Sequence, residues 1–125
     1  MQESFKKEER LKKKKLIAQL FNDGKSLKAF PLKLTYLKME HDSPFKILAG
    51  VSVPKKNFKK AVDRNKIKRL LREAYRKNKY LIYNSEHTKK HLFMFIYLGK
   101  KELEYKILEE KMMALMQQFL QLEET

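Results

Sequence analysis

The chain has 125 residues, with 30 Lys or Arg against 15 Asp or Glu and a formal net charge of +15. At this length one domain with a single modest core is expected, and so cationic a surface favours polyanions, nucleic acid ahead of anionic membrane. The lack of cysteine excludes disulfide staples, thiol catalysis and Cys-based zinc sites, and the longest apolar run, Leu92–Leu98, is far too short to cross a bilayer.

Residues 1–6 are expected to fray. From Lys7 to about Asn22 the chain reads as a helix, with Leu16, Ile17, Leu20 and Phe21 on its apolar face and Arg10 with Lys12–Lys15 on a basic one. Gly24 is its expected stop. This start mixes Lys with Glu and has no apolar signal region, which fits a cytoplasmic location.

Leu27–Met39 alternates, with Phe30, Leu32, Leu34 and Tyr36 on one side and Lys33, Thr35 and Leu37 on the other. That period of two predicts a strand with one buried face, and a short extra strand is expected near Ser26–Ala29. Asp42, Ser43 and Pro44 mark a turn. Lys46–Val53 then returns as a second long strand, so an antiparallel pair is the natural expectation. Pro54 ends it, because proline cannot donate to the ladder.

The stretch that dominates the chain follows. Lys55–Lys79 holds twelve Lys or Arg and only two acids, Asp63 and Glu73. Ile67, Leu70, Leu71 and Ala74, with Tyr75 beside them, recur at the spacing of an amphipathic helix over roughly Ala61–Lys79. At about 100° per residue, Arg64, Asn65, Lys68, Arg69, Arg72 and Arg76 fall into one adjoining arc about 140° wide. Lys66, Glu73 and Lys77 lie on the remaining face. A charge run is ordinarily a solvated surface. Here four arginines share one side with almost no acids, and planar guanidinium forks suit phosphate oxygens better than ammonium groups do.

Asn84–Lys90 is polar and turn-like, Leu92–Leu98 is a buried strand closed by Gly99, and Lys101–Leu122 is a last helix. Leu103, Ile107, Met112, Leu115, Met116, Phe119 and Leu122 form its expected buried side. The order α, β, β, β, α, β, α predicts an α+β fold, helices packed on a small sheet. His41, His87 and His91 read as surface histidines without metal-ligand spacing. The three glycines are isolated, and no paired carboxylates stand at catalytic spacing. No self-contained active site is visible, so any chemistry must come from a partner.

The run Gly50-Val51-Ser52-Val53, Lys55-Lys56 and Ala61-Val62-Asp63-Arg64-Asn65-Lys66-Ile67-Lys68-Arg69-Leu70-Leu71-Arg72-Glu73-Ala74 resembles the signature of the protein subunit of bacterial ribonuclease P. Arg10-Leu11-Lys12-Lys13 and Phe21-Asn22-Asp23-Gly24-Lys25-Ser26 resemble that family's N-terminal pattern. Lys66 stands where the family has a second arginine, Pro54 precedes the lysine pair, and Asn57–Lys60 is one residue longer than the family's link.

The resemblance implies a four-stranded mixed sheet. It also implies a left-handed crossover that carries the basic helix between parallel central strands, where ordinary chirality would give a right-handed one. It further implies that an RNA subunit, with bound Mg²⁺, removes the 5′ leader of precursor tRNA while the protein binds both RNAs. Carried over by position, the RNA-contact set is Arg64, Asn65, Lys66, Lys68, Arg69 and Arg72. The leader-cleft set is Phe21, Tyr36, Lys55 and Lys56, and no protein partner is required. A stand-alone structural RNA-binding protein, such as a ribosomal component, is the alternative. A membrane-binding role is disfavoured because the basic arc lacks an exposed apolar face.

Overall fold

A computed structural model describes residues 4–85 and 89–123. Its strands are β1 (Lys25–Ala29), β2 (Leu32–Lys38), β3 (Ile47–Ser52) and β4 (His91–Tyr97). Its α-helices are α1 (Lys14–Asp23), α2 (Ala61–Asn78), α3 (Tyr80–Tyr83) and α4 (Tyr105–Glu123). The strands form one mixed sheet in the order β1-β2-β4-β3, an α+β architecture.

The Leu27–Met39 segment is not one strand. Phe30 and Pro31 turn the chain, and β1 and β2 pair as an antiparallel hairpin from Ala29↔Leu32 to Lys25↔Tyr36. The expected antiparallel pairing of β2 with β3 does not occur. Instead β4 inserts between them, antiparallel to β2 and parallel to β3. Burial explains the order. β4 reads His-Leu-Phe-Met-Phe-Ile-Tyr and is buried on both faces, so it must be internal, while the half-exposed second half of β3 tolerates an outer position. β3 is therefore an outermost strand joined to β4 through α2, and not one of two central strands. Its outer edge is partly covered by a parallel bridge between Arg10 and Ala49.

The expected helix over Lys7–Asn22 is broken. Lys7–Glu9 is a 3-10 turn, the backbone is extended at Arg10 and Lys13, and the α-helix begins only at Lys14. The Leu11 N–H donates to the Ala49 carbonyl at 2.9 Å, and Leu11 itself is buried. Phe5, expected to fray, packs edge-on against Tyr75 at 5.3 Å. These tertiary contacts outweigh the helix propensity of a Lys-Glu-rich stretch, which is a weak prior.

Two apolar layers result. On one face Leu32, Leu34, Ile47, Ala49, Phe93, Phe95 and Tyr97 meet Ile67, Leu71, Ala74 and Tyr75 of α2 and Leu108, Met112, Leu115, Met116 and Phe119 of α4. Leu108 takes the place expected for Ile107, which is exposed together with Leu122. Asn78, at the end of α2, is buried and donates to the Ala74 carbonyl and to the Glu109 carboxylate, both at 2.8 Å. On the opposite face Leu20 packs with Leu11, Leu48, Leu92 and Met94. Leu20 is the one fully buried side chain of α1, an anchor of about 1.5–3 kcal/mol. Gly24 does end α1, through lack of space and not through left-handed backbone. Its φ is −75°, and an added Cβ would lie 2.4 Å from the Leu20 carbonyl oxygen and 3.0 Å from that of Tyr36.

Candidate RNA-binding site

The basic arc of α2 forms because its neighbours on the helix are consumed by the core. Ile67, Leu71, Ala74, Tyr75 and Asn78 are buried, which turns Asn65, Arg69 and Arg72 outward, where all three are exposed. They line an open cavity of about 500 Å³ together with Phe5, Arg10, Glu73 and Arg76. α2 carries two acids. Asp63 lies in the first helical turn, where a carboxylate complements the helix dipole. Glu73 accepts from Arg76 Nε at 3.1 Å and Nη2 at 2.5 Å, with Lys77 at 3.7 Å. The Arg76 hydrogen bonds hold the Glu73 carboxyl below its ordinary range.

The six residues expected to contact RNA are not equivalent. Arg64 Nη1 donates to the Phe58 and Lys59 carbonyls at 2.8 and 2.9 Å, tying down the loop that enters α2. Its guanidinium is thus partly a structural clasp. Lys66 points away from the cavity and lies 3.0 Å from Glu102. Lys68 is half-buried. Asn65, Arg69 and Arg72 remain as the exposed polar rail, and the sequence reading lacked their neighbour across the cavity, Arg10. Burial and the nearby Arg10 charge both push the Arg72 guanidinium pKa down. The helix expected over Lys7–Asn22 put Arg10 on a basic face but gave no sign that it meets Arg72, because the meeting depends on the strap 4–13 folding back onto α2.

Arg10 also lines a second cavity of about 600 Å³, which lies between the strap, α1 and the β2–β3 loop. Lys7, Lys12, Lys13 and Lys15 rim it, and Leu16, Met39 and Leu48 are among its apolar lining. The basic surface therefore continues from α2 around the strap to α1.

The leader-cleft candidates divide. Phe21 is 51% exposed on α1, available for stacking. Tyr36 is only 7% exposed and lies in the core, edge-on to Phe119 at 5.3 Å and beside His91 at 6.4 Å. The even residues of β2 face α4, so the odd ones face the α1 side, and Tyr36 is corrected to a core residue. Lys55 and Lys56 are exposed in the turn after Pro54, closed by Asn57 N–H donating to the Pro54 carbonyl at 3.2 Å. On the α1 side of the sheet the row Ser52↔Ile96↔Lys33↔Lys28 is exposed or half-exposed, and sequence reasoning missed it because the strand order was unknown. Among the histidines, His91 is fully buried against Phe119 and Phe93 and is not a surface residue, while His41 is half-buried. His87 lies outside the described residues. Among the described residues no three potential metal-ligating acids, cysteines or histidines gather.

The profile of the ribonuclease P family matches residues 5–120. The chain belongs to the ribonuclease P protein family. It is 46% identical over 77 residues to the ribonuclease P protein component of Porphyromonas gingivalis, covering 61% of this chain and 56% of that one. Against the component from Chlorobium phaeobacteroides it is 51% identical over 81 residues, covering 61% and 54%. These matches thus span just over half the length of the relatives. The RNase P protein of Thermotoga maritima superposes with a TM-score of 0.70 at 27% identity, covering 88% of this chain and 96% of that one. The Staphylococcus aureus RNase P protein shares the fold, with a TM-score of 0.67 at 22% identity over 87% of this chain and 93% of that one.

Proposed function

We propose that this chain is the protein component of a bacterial ribonuclease P, acting in the cytoplasm, where it binds a catalytic RNA and the 5′ leader of precursor tRNA during tRNA 5′ maturation. The observation that carries this reading is the exposed Asn65–Arg69–Arg72 rail, facing an open cavity with Arg10 on its other wall. Such a surface lowers the repulsion between two large polyanions and recognises backbone and shape more than base edges. Mg²⁺, held mainly by the partner RNA, supplies the hydrolytic chemistry. The carboxylates beside the basic face do not fit a site for it, since Glu73 is committed to Arg76 and Lys77 and Glu9 to Lys79.

In this reading the protein's residues bind and orient. Arg69 and Arg72 offer planar forks to phosphodiester oxygens. Phe21 offers a ring face to an unpaired leader base, and Lys55 and Lys56 supply charge along the strand. The test is reconstitution with a bacterial ribonuclease P RNA and a leader-bearing precursor tRNA at low Mg²⁺. Cleavage at the mature 5′ end that requires both components, and weakens with Arg69→Ala, is the expected result. RNA binding without stimulated cleavage would support a purely structural RNA-binding role instead.

A further inference from the structure

We propose that Arg10 completes a phosphodiester-binding site with Asn65, Arg69 and Arg72, and that the buried Glu9–Lys79 ion pair is the device that positions Arg10 there. The proposal rests on the RNA-binding reading above and extends it to a two-part site, half on α2 and half on the strap.

The strap is pinned along its length, and three of the contacts bracket Arg10. Phe5 packs on Tyr75, the Leu11 N–H bonds the Ala49 carbonyl, and between them Glu9 meets Lys79. That pair is almost wholly removed from solvent, with Glu9 1% and Lys79 4% exposed. Its polar atoms are well satisfied. One Glu9 oxygen accepts from Lys79 Nζ at 2.5 Å and the other from the Lys6 N–H at 3.0 Å. Lys79 Nζ also donates to the Ser4 carbonyl and stands 5.7 Å over the Tyr83 ring. Burial, and then the Glu9 charge, push the Tyr83 phenol up to about 12, so it stays neutral beside the pair.

Such a pair demands its geometry, because separating the partners strands a buried charge. It therefore restricts where the next residue can go. Arg10 follows Glu9 directly, its Nη2 donates to the Phe5 carbonyl at 3.2 Å, and its guanidinium lies 5.0 Å over the Phe5 ring. The side chain is thus held at the cavity mouth facing Arg72. Arginines converging without a shared acid disfavour one another's charge, an arrangement that an anion between them relieves. Among the described residues neither Arg69 nor Arg72 has an acidic partner, and the cavity's one acid is already tied to Arg76.

The experiment measures binding of the full chain to a bacterial ribonuclease P RNA transcript between 50 and 200 mM KCl, with hydrogen exchange as a second readout. Arg10→Ala should make the logarithmic salt slope shallower by about one, so the fourfold rise in salt costs it about threefold less affinity than wild type. Arg10→Lys should restore the slope. Lys79→Met and Glu9→Gln should speed exchange at the Leu11 amide while β4 amides stay protected, and should reproduce the Arg10→Ala slope. Adding Arg10→Ala to either should change nothing further. An unaltered slope in Arg10→Ala, with wild type binding normally, overturns the site while leaving the RNA reading intact. A wild-type slope in Lys79→Met and Glu9→Gln overturns the positioning role. Failure of the wild type to bind the transcript overturns the RNA reading, and the site with it.

Discussion

Two aromatic residues from the leader-cleft set, Tyr36 and Phe21, should respond to truncation in opposite ways. Tyr36 is sealed beneath α4, with Phe119 edge-on to its ring at 5.3 Å, and Phe119 in turn packs on Phe93 at 4.8 Å. Large-to-small substitution of such a ring costs about 3–5 kcal/mol, including the cavity it leaves. With an unfolding entropy of roughly 2.1 cal/mol/K per residue, 125 residues give about 0.26 kcal/mol/K, so a loss of about 4 kcal/mol lowers Tm by about 15 °C. Phe21 is half exposed and should lose less than about 1 kcal/mol, a shift of no more than about 4 °C. Thermal unfolding of Tyr36→Ala and Phe21→Ala measures both. Binding to precursor tRNA with and without its leader then separates the roles, since only Phe21→Ala should lose leader-dependent affinity, by about 1–3 kcal/mol for one stacked base. A Tyr36→Ala protein with a wild-type Tm would refute the strand register on which this reasoning stands. A Phe21→Ala protein that unfolds as early as Tyr36→Ala would refute its assignment to the surface.

The two arginine roles should also separate: Arg64→Ala destabilises the loop before α2, read as faster exchange of its amides, whereas Arg72→Ala leaves stability unchanged and makes the salt slope of RNA binding shallower by about one. Lys66→Ala should change Tm and RNA affinity little, because its exposed pair with Glu102 is worth about 0–1 kcal/mol. Gly24→Ala should destabilise by about 1–3 kcal/mol in urea unfolding, since the new methyl meets backbone oxygens that cannot yield. His41 should titrate below 6.5 by NMR, chiefly because burial disfavours its charged form. The unfolded chain then takes up that proton at higher pH than the folded one, so the contribution to stability is complete above about pH 6.5 and declines as pH falls below it.

What the sequence determined by itself was local. The 3.6-residue period of Ile67, Leu71 and Ala74 dictated which side of α2 is buried, and hence that Asn65, Arg69 and Arg72 emerge together on the other. The period of two in β2 likewise separated Leu32, Leu34 and Tyr36 from Lys33 and Leu37, although assigning Tyr36 to a cleft mistook the buried set for the accessible one. The resemblance carried by that same basic helix was long enough to give the family. The strand order was not legible. Alternation says that a strand has a buried face but not which strand lies beside it, and here β4, separated from β3 by 38 intervening residues, takes the place that a simple hairpin would have filled. Nor could the strap be read. Lys7–Lys13 has the composition of an exposed helix, and only the tertiary structure sets Glu9 against Lys79, 70 positions away, and Leu11 on the edge of β3. Contacts across such separations depend on the closed fold and leave no periodic trace in the chain. For that reason the sequence could propose the α2 half of the basic site, while the Arg10 half came from tertiary structure alone.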